Sequence, residues 1–315
     1  MSLTPAPLHT DIHPGPDPSA AFWAETPDGK QIRLGVWSTA GARGTVLIFP
    51  GRTEYIEKYG VVAGEFAARG LASVAIDWRG QGMADRMLED GLVGHVDHFT
   101  DYQKDVAALM RAARTLNLPR PYFLVAHSMG GCIGLRAVIE GLAVQAAAFT
   151  GPMWGINISP HMRLPARILS TLMPKFNQGH RLPIGSTTNP YVLSEPFENN
   201  MLTTDPVMYD MMRDQLKAHP ELRLGGPSYI WLREALAETM HLAQRAAPSL
   251  PTITYVGTNE RIVDVPRIHA RMDGWKGGQL REVEGAEHEI LMERPDIRNP
   301  VYDDITGLFL NTTTG

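Results

Sequence analysis

The chain has 315 residues, an apolar share of 43% and a formal net charge of -5 at neutral pH. This length allows one large hydrophobic core, or one core with a smaller domain added to it. The acidic balance, without Lys and Arg clusters interleaved with aromatic residues, excludes the usual footprint of a protein that binds nucleic acid.

The N-terminal residues 1–20 are the first predicted element, an extended arm, because five prolines restrict helices and inner strands there. The arm lacks the basic and apolar regions of a secretory signal, and no later run reaches the ~18 apolar residues of a membrane span. The one cysteine, Cys132, excludes an internal disulfide. We therefore expect a cytoplasmic protein, with peripheral membrane contact left open.

The next elements predict the start of a sheet. Residues 21–26 and 31–38 are apolar runs on either side of Asp28-Gly29, and this pattern indicates an antiparallel hairpin. Residues 45–50 and 71–77 are too apolar for exposed strands, and a helical pattern lies between them. They indicate a βαβ unit with strands buried on both faces.

The same alternation continues to the end of the chain, except in one long segment. Helices are expected near 102–116, 266–272 and 299–310, and strands over 122–126, 144–150, 251–257 and 278–284. This order predicts an α/β fold with a mostly parallel, doubly wound sheet, built from residues 21–152 and 248–315. Residues 153–247 show interrupted helical patterns, and we interpret them as a helical lid inserted into the core, or as a helical subdomain that only adds stability.

The segment Ala126-His-Ser128-Met-Gly130 joins a predicted strand to a predicted helix. It differs by one residue from the Gly-x-Ser-x-Gly nucleophile elbow, in which a strained turn exposes a serine hydroxyl at the end of a strand. An ordinary helix-capping serine is the alternative interpretation. Our hypothesis is that Ser128 is a nucleophile.

A serine nucleophile needs a histidine base, and the histidine needs a carboxylate to orient it. His288 follows the last predicted strand and is the expected base, whereas His269 lies inside a predicted helix. The loop after residue 257 offers two acids, Glu260 and Asp264. We favour Glu260, because Asp264 directly precedes a helix, where an acidic cap is the ordinary interpretation.

Charge that develops on a substrate oxygen needs two backbone N–H donors. The expected donors are Met129, directly after the nucleophile, and Arg52, in the loop after the strand at 45–50. The sequence contains no nucleotide-binding glycine motif and no convincing set of metal ligands. We therefore expect neither a cofactor nor a metal.

The spaced motifs Phe49-Pro-Gly-Arg-Thr-Glu54, Asp77-Trp-Arg-Gly-Gln-Gly82, Ala126-His-Ser-Met-Gly-Gly131 and Glu287-His-Glu289 resemble those of the α/β-hydrolase family. Within it they are similar to the monoacylglycerol lipase and lysophospholipase branch. Pro50 stands where many members have histidine, and Ala126 replaces the first elbow glycine. Glu260 falls where the family usually has aspartate, and lysophospholipase-like members resemble this chain in having glutamate.

The resemblance implies a serine hydrolase that cleaves esters of single-chain acyl lipids, either monoacylglycerols or lysophospholipids, through an acyl-serine intermediate. It also implies that the lid forms an apolar acyl tunnel and could contact a membrane. The alternatives are a short-chain esterase, an acyltransferase that uses the same intermediate, and a ligand-binding or sensory protein that retains the three residues with little turnover. The sequence leaves the oligomeric state undetermined.

Overall fold

The computed structural model describes residues 3–312, so the first two residues of the expected arm and the last three of the expected core lie outside the described residues. The strands are β1 (Thr4–Ala6), β2 (Ser19–Glu25), β3 (Gln31–Trp37), β4 (Thr45–Phe49), β5 (Ala72–Asp77), β6 (Tyr122–His127), β7 (Ala147–Thr150), β8 (Thr252–Gly257) and β9 (Gly278–Val283). The helices are α1 (Gly60–Ala68), α2 (Tyr102–Thr115), α3 (Ser128–Ile139), α4 (Pro160–Leu172), α5 (Tyr191–Ser194), α6 (Pro206–Ala218), α7 (Tyr229–Ala243), α8 (Val265–Asp273) and α9 (Pro295–Asn311).

All nine strands form one sheet in the order β1-β2-β3-β5-β4-β6-β7-β8-β9. The pairs from β5 to β9 are parallel, whereas β1, β2 and β3 pair antiparallel with their neighbours. The predicted α/β class, with a parallel sheet that opens with a hairpin, is therefore confirmed. The carboxyl ends of β4, β6, β7, β8 and β9 meet at one edge, where ligands bind in such sheets.

The segment predicted to be an extended arm contributes a strand to the sheet. Thr4–Ala6 pairs with β2 as the outermost strand of the sheet. Pro5 is tolerated there because an edge strand can leave one row of N–H groups unpaired. Helix α9 begins at Pro295, four residues before the predicted start, because Pro295 takes the first helical position and Pro300 lies inside the helix.

Apolar side chains cover both faces of the sheet. On one face, Leu109 of α2, Ile133 of α3 and Ile268 of α8 belong to one buried cluster. On the other, Phe66 of α1 and Phe309 of α9 belong to a second. The strands between them are buried on both sides, which explains their nearly continuous apolar sequence.

Between β7 and β8 the chain leaves the sheet and forms helices α4 to α7. Met208, Met211 and Met212 of α6 are buried against the second cluster, so part of this insertion packs as core. Within residues 3–312, no helix is both long and apolar enough to cross a bilayer.

Candidate active site

Strand β6 runs directly into helix α3 at Ser128. The backbone of Ser128 has a φ of 49°, a left-handed conformation that is strained for a residue with a side chain. A Cβ at Gly130 would collide with the carbonyl oxygen of Phe49, so only glycine lets α3 approach β4 this closely. These are the properties of a nucleophile elbow.

Ala126, which stands in place of the first elbow glycine, is accommodated by a second glycine in α3. Ala126 is fully buried, and a Cβ placed on Gly134 would lie 3.1 Å from the Ala126 methyl group. The extra methyl therefore occupies the space that Gly134, the seventh residue of α3, leaves open.

His288 and Glu260 come together from the loops after β9 and β8. The His288 Nδ1 atom lies 2.6 Å from the Glu260 Oε2 atom, and both side chains are almost fully buried. The other oxygen of Glu260 accepts hydrogen bonds from the backbone N–H groups of Ile262 and Val263, at 2.6 and 3.1 Å. Burial raises the pKa of Glu260, but the charge and hydrogen bond of His288 outweigh it and lower that pKa below its ordinary value. Glu260 is therefore ionised and accepts a hydrogen bond from His288 Nδ1–H.

Asp264, the alternative acid, lies elsewhere. It occupies the residue before α8, and its Oδ2 atom is 3.7 Å from the Nε atom of Arg267. Its side chain makes no capping hydrogen bond to the helix. Within residues 3–312, the carboxylate in contact with His288 Nδ1 is therefore that of Glu260.

Ser128 and His288 line the same cavity of about 340 Å³, a size typical of small-ligand sites. In the described part of the chain the Ser128 hydroxyl makes no hydrogen bond to His288, and such contacts are often loose without substrate. Apolar side chains form much of the wall, from the core and from the insertion. They include Met153, Val192, Leu202, Met212, Leu216 and Ile262.

Two expected N–H donors border this cavity. Met129 is the second residue of α3, so its N–H has no intrahelical acceptor. Hydrogen bonds to neighbouring carbonyl groups hold the loop that carries Arg52. Trp78 Nε1 donates to the Pro50 carbonyl at 2.9 Å, and Gln81 Nε2 donates to the Gly51 carbonyl at 2.9 Å. No acceptor within residues 3–312 binds the Arg52 N–H.

A network of buried charged side chains borders the cavity. The Lys58 ammonium contacts Glu289 at 2.6 Å and also binds Glu54. His127 Nε2 lies 3.3 Å from the same Glu289, and Glu54 accepts hydrogen bonds from the Tyr59 hydroxyl and from the Gly51 N–H. We call these four charged residues, Glu54, Lys58, His127 and Glu289, the buried network. It connects the Arg52 loop, the residue before Ser128 and the residue after His288.

The charges in the buried network are mutually compensating. Burial raises the pKa of Glu289, but the charges of Lys58 and His127 outweigh it and hold that pKa well below its usual range. Burial lowers the pKa of His127, yet Glu289 and Glu54 raise it more, so it lies above the ordinary value. His127 Nδ1 also faces the Thr150 carbonyl oxygen at 2.9 Å, where only an N–H fits. An imidazolium with both nitrogens donating satisfies these contacts.

Two groups of side chains in the described range have the residue types of metal ligands. In the first, Glu54, His127 and Glu289 are close together, but the Lys58 ammonium already supplies a cation there. The second is His9, His219 and Glu221 at the surface, where the two imidazoles stack with centroids 3.7 Å apart. Stacked rings do not direct two nitrogens at one ion without rearranging. The absence of a metal stays a prediction.

Sequence reasoning did not identify the role of the network, or that of Gly151. Gly151 follows β7 with a φ of 47°, and a Cβ there would lie 3.0 Å from His288 Nδ1 and 3.2 Å from Glu260 Oε2. The sequence did contain a hint of the network. Glu54, His127 and Glu289 are polar residues that lie in or next to the loops predicted to carry Arg52, Ser128 and His288. Their pairing with Lys58 is not visible in a linear sequence.

Comparison with known proteins identifies the family of this chain. Residues 40–295 match the family Hydrolase_4, described as serine aminopeptidase, S33. Lysophospholipase L2 of Escherichia coli (strain K12) is 33% identical over 276 residues, which are 84% of this chain and 79% of the relative. Monoglyceride lipase of Homo sapiens is 25% identical over 301 residues, covering 88% and 86% of the two chains. A soluble variant of monoglyceride lipase from Saccharomyces cerevisiae, solved with a substrate analog, has a similar fold, with a TM-score of 0.70 at 20% identity over 98% of this chain and 99% of that one.

Replacing Lys58 with methionine tests the importance of the buried network for folding. The change leaves two buried carboxylates without their shared ammonium, so we expect the free energy of unfolding to fall by about 3–5 kcal/mol. Lys104→Met is the matched control, because Lys104 is exposed and pairs with Asp28 and Asp101 at 3.1 and 2.8 Å. It should cost less than about 1 kcal/mol. Urea unfolding measures both, and equal small losses would contradict a stabilising role for Lys58.

Proposed function

The chain belongs to the α/β-hydrolase family, within its monoacylglycerol lipase and lysophospholipase branch, and we propose that it cleaves esters of single-chain acyl lipids through an acyl-Ser128 intermediate. It is a carboxylic ester hydrolase. The observation that supports the mechanism best is the 2.6 Å contact between Glu260 and His288 at a cavity that Ser128 also lines.

The walls of the cavity support an acyl lipid as substrate. The family description names a peptidase, but relatives that align over most of both chains are named lysophospholipase and monoglyceride lipase. A largely apolar wall suits a hydrocarbon chain, because burial of each methylene group contributes about 0.8 kcal/mol.

The first half of the proposed reaction forms the acyl-enzyme. Ser128 Oγ attacks the ester carbonyl while His288 Nε2 takes its proton, and Glu260 stabilises the imidazolium through Nδ1–H. The carbonyl oxygen becomes an oxyanion that accepts hydrogen bonds from the N–H groups of Arg52 and Met129. The C–O bond then breaks, and His288 returns the proton to the leaving alcohol.

The second half releases the fatty acid. Water attacks the acyl-Ser128 carbonyl and gives a proton to His288, and the same two N–H groups stabilise the second oxyanion. When the C–Oγ bond breaks, the proton returns to Ser128. A second alcohol in place of water would make the protein an acyltransferase. The same three residues would also suit a short-chain esterase or a low-turnover sensory protein, and the apolar wall favours the lipid hydrolase over the esterase.

We also propose that helix α4 contacts a lipid surface and so acts with the rest of the insertion as a lid. Leu164, Ile168 and Leu172 of α4, and Phe176 in the short helical turn after it, recur every four residues and are 66, 45, 40 and 71% exposed. Residues 156–194 contain four Lys or Arg residues and no Asp or Glu, in a chain of net charge -5. An exposed apolar stripe in a basic segment is the pattern of an interfacial helix that binds anionic lipid.

Alanine at position 260 or 264 tests the assignment of the acid. We expect Glu260→Ala to lower kcat/KM by about 10³–10⁴-fold, because His288 loses the group that fixes its tautomer. The matched control, Asp264→Ala, should lower it less than tenfold. Hydrolysis of p-nitrophenyl esters by variants with native melting curves provides the measurement. The opposite order of the two effects would transfer the role to Asp264.

Co-sedimentation with vesicles tests the lipid-binding face. We expect the protein to bind phosphatidylglycerol vesicles more tightly than phosphatidylcholine vesicles, and the double change Ile168→Ser and Phe176→Ser to weaken binding at least tenfold by removing apolar area. Val207→Ser is the matched control, since Val207 is an exposed apolar residue on α6, 55% accessible. Equal binding by the wild type, the double variant and the control would refute a role for α4.

A further inference from the structure

The side chain of Arg52 is a cation in the wall of the cavity without a carboxylate partner. Its Nη1 atom donates to the Gly225 carbonyl at 2.6 Å, and its guanidinium carbon lies 5.7 Å from the centre of the Trp231 ring. No Asp or Glu within residues 3–312 forms an ion pair with it. By contrast, the buried Arg33 and Arg79 each bind two carboxylates.

Arg52 is partly buried. A charge that is partly withdrawn from water without a counterion is costly, so a role in binding is the natural reason to keep one. Burial lowers the pKa of Arg52 to about 10, which leaves the guanidinium protonated at neutral pH. The contacts to Gly225 and Trp231 use one N–H and one face of the group. Further N–H groups of the planar fork are left to bind an anion in the cavity, and arginine is well suited to phosphate oxygens.

The position of Arg52 indicates how far the anionic group of the substrate lies from the ester. The backbone N–H of Arg52 is one of the two proposed oxyanion donors, so the reacting carbonyl lies beside it. The number of covalent bonds from the Arg52 nitrogen to its guanidinium carbon equals the number from an sn-1 acyl carbonyl carbon to the phosphorus of a lysophospholipid. The two spans therefore have the same contour length, so a lysophospholipid whose ester is at the Arg52 N–H has the reach to bring its phosphate to the guanidinium.

We propose that the Arg52 guanidinium binds the phosphodiester of a lysophospholipid headgroup and makes the site prefer lysophospholipids to monoacylglycerols. This inference rests on the proposed function and specifies its substrate class. A monoacylglycerol has a neutral glycerol hydroxyl at the same place, so it leaves the partly buried guanidinium without an anionic partner. The site then discriminates against monoacylglycerols because they leave the guanidinium charge unpaired, and not because their shape does not fit.

The test is the ratio of kcat/KM for 1-myristoyl lysophosphatidylethanolamine to kcat/KM for 1-monomyristoylglycerol, measured in the same detergent. Arg52→Gln should lower this ratio by about 10- to 100-fold, the range of one hydrogen bond to a charged group. Arg52→Lys, which retains the charge, should keep most of it. General damage to the Arg52 loop affects both substrates and cancels in the ratio. Arg114→Gln, an exposed arginine at the end of α2, is the matched control and should leave the ratio unchanged.

The outcomes separate this inference from the proposed function. A wild type that hydrolyses neither lipid would overturn the proposed function itself. A wild type that hydrolyses both, with the same ratio in Arg52→Gln, would overturn only the role of the guanidinium. The last experiment adds inorganic phosphate. If phosphate inhibits monomyristoylglycerol hydrolysis by the wild type but not by Arg52→Gln, and the ratio of kcat/KM values is the same in both proteins, Arg52 binds a free anion. That result would overturn headgroup recognition.

Discussion

The arrangement of the site depends on the buried ion contacts of Lys58. Its ammonium holds Glu54, which binds the Arg52 loop, and Glu289, which follows His288 and also contacts His127 beside Ser128. Three loops that are far apart in the sequence are therefore fixed to one charged centre. Moving these charges out of water costs free energy, and removing one partner destabilises the fold by more than the complete network stabilises it. We infer that the network is kept because it sets the relative positions of the loops.

Backbone strain and close packing complete the same arrangement. Ser128 is held in a left-handed conformation where α3 packs tightly on β4 through Gly130, and Gly151 leaves room for the His288–Glu260 pair. Strain of this kind persists only when the surrounding contacts determine the geometry. The rigid elbow, the fixed acid and the anchored Arg52 loop support the proposed reaction, because preorganised groups need little reorganisation as charge develops.

Much of the fold and of the candidate site was predictable from the sequence, because a parallel sheet brings the carboxyl ends of its strands together. Ser128, Glu260 and His288 each follow a strand, and strand order alone indicated that they should meet. Their catalytic roles stay predictions. The Lys58 contacts were not predictable, since Lys58 and Glu289 are 231 positions apart and only the folded chain pairs them. The edge strand at Thr4–Ala6 was missed because Pro5 within it and Pro7 directly after it oppose regular structure everywhere except at an edge.

The proposed mechanism requires a covalent acyl-Ser128 intermediate, which mass spectrometry of the enzyme quenched during turnover detects. With 1-myristoyl lysophosphatidylethanolamine, we expect a transient mass increase of one myristoyl group on the peptide that contains Ser128, absent in Ser128→Ala. We also expect the increase to decay as fatty acid appears. Release of fatty acid at full rate from Ser128→Ala, or an acyl group on another residue, would rule out this intermediate.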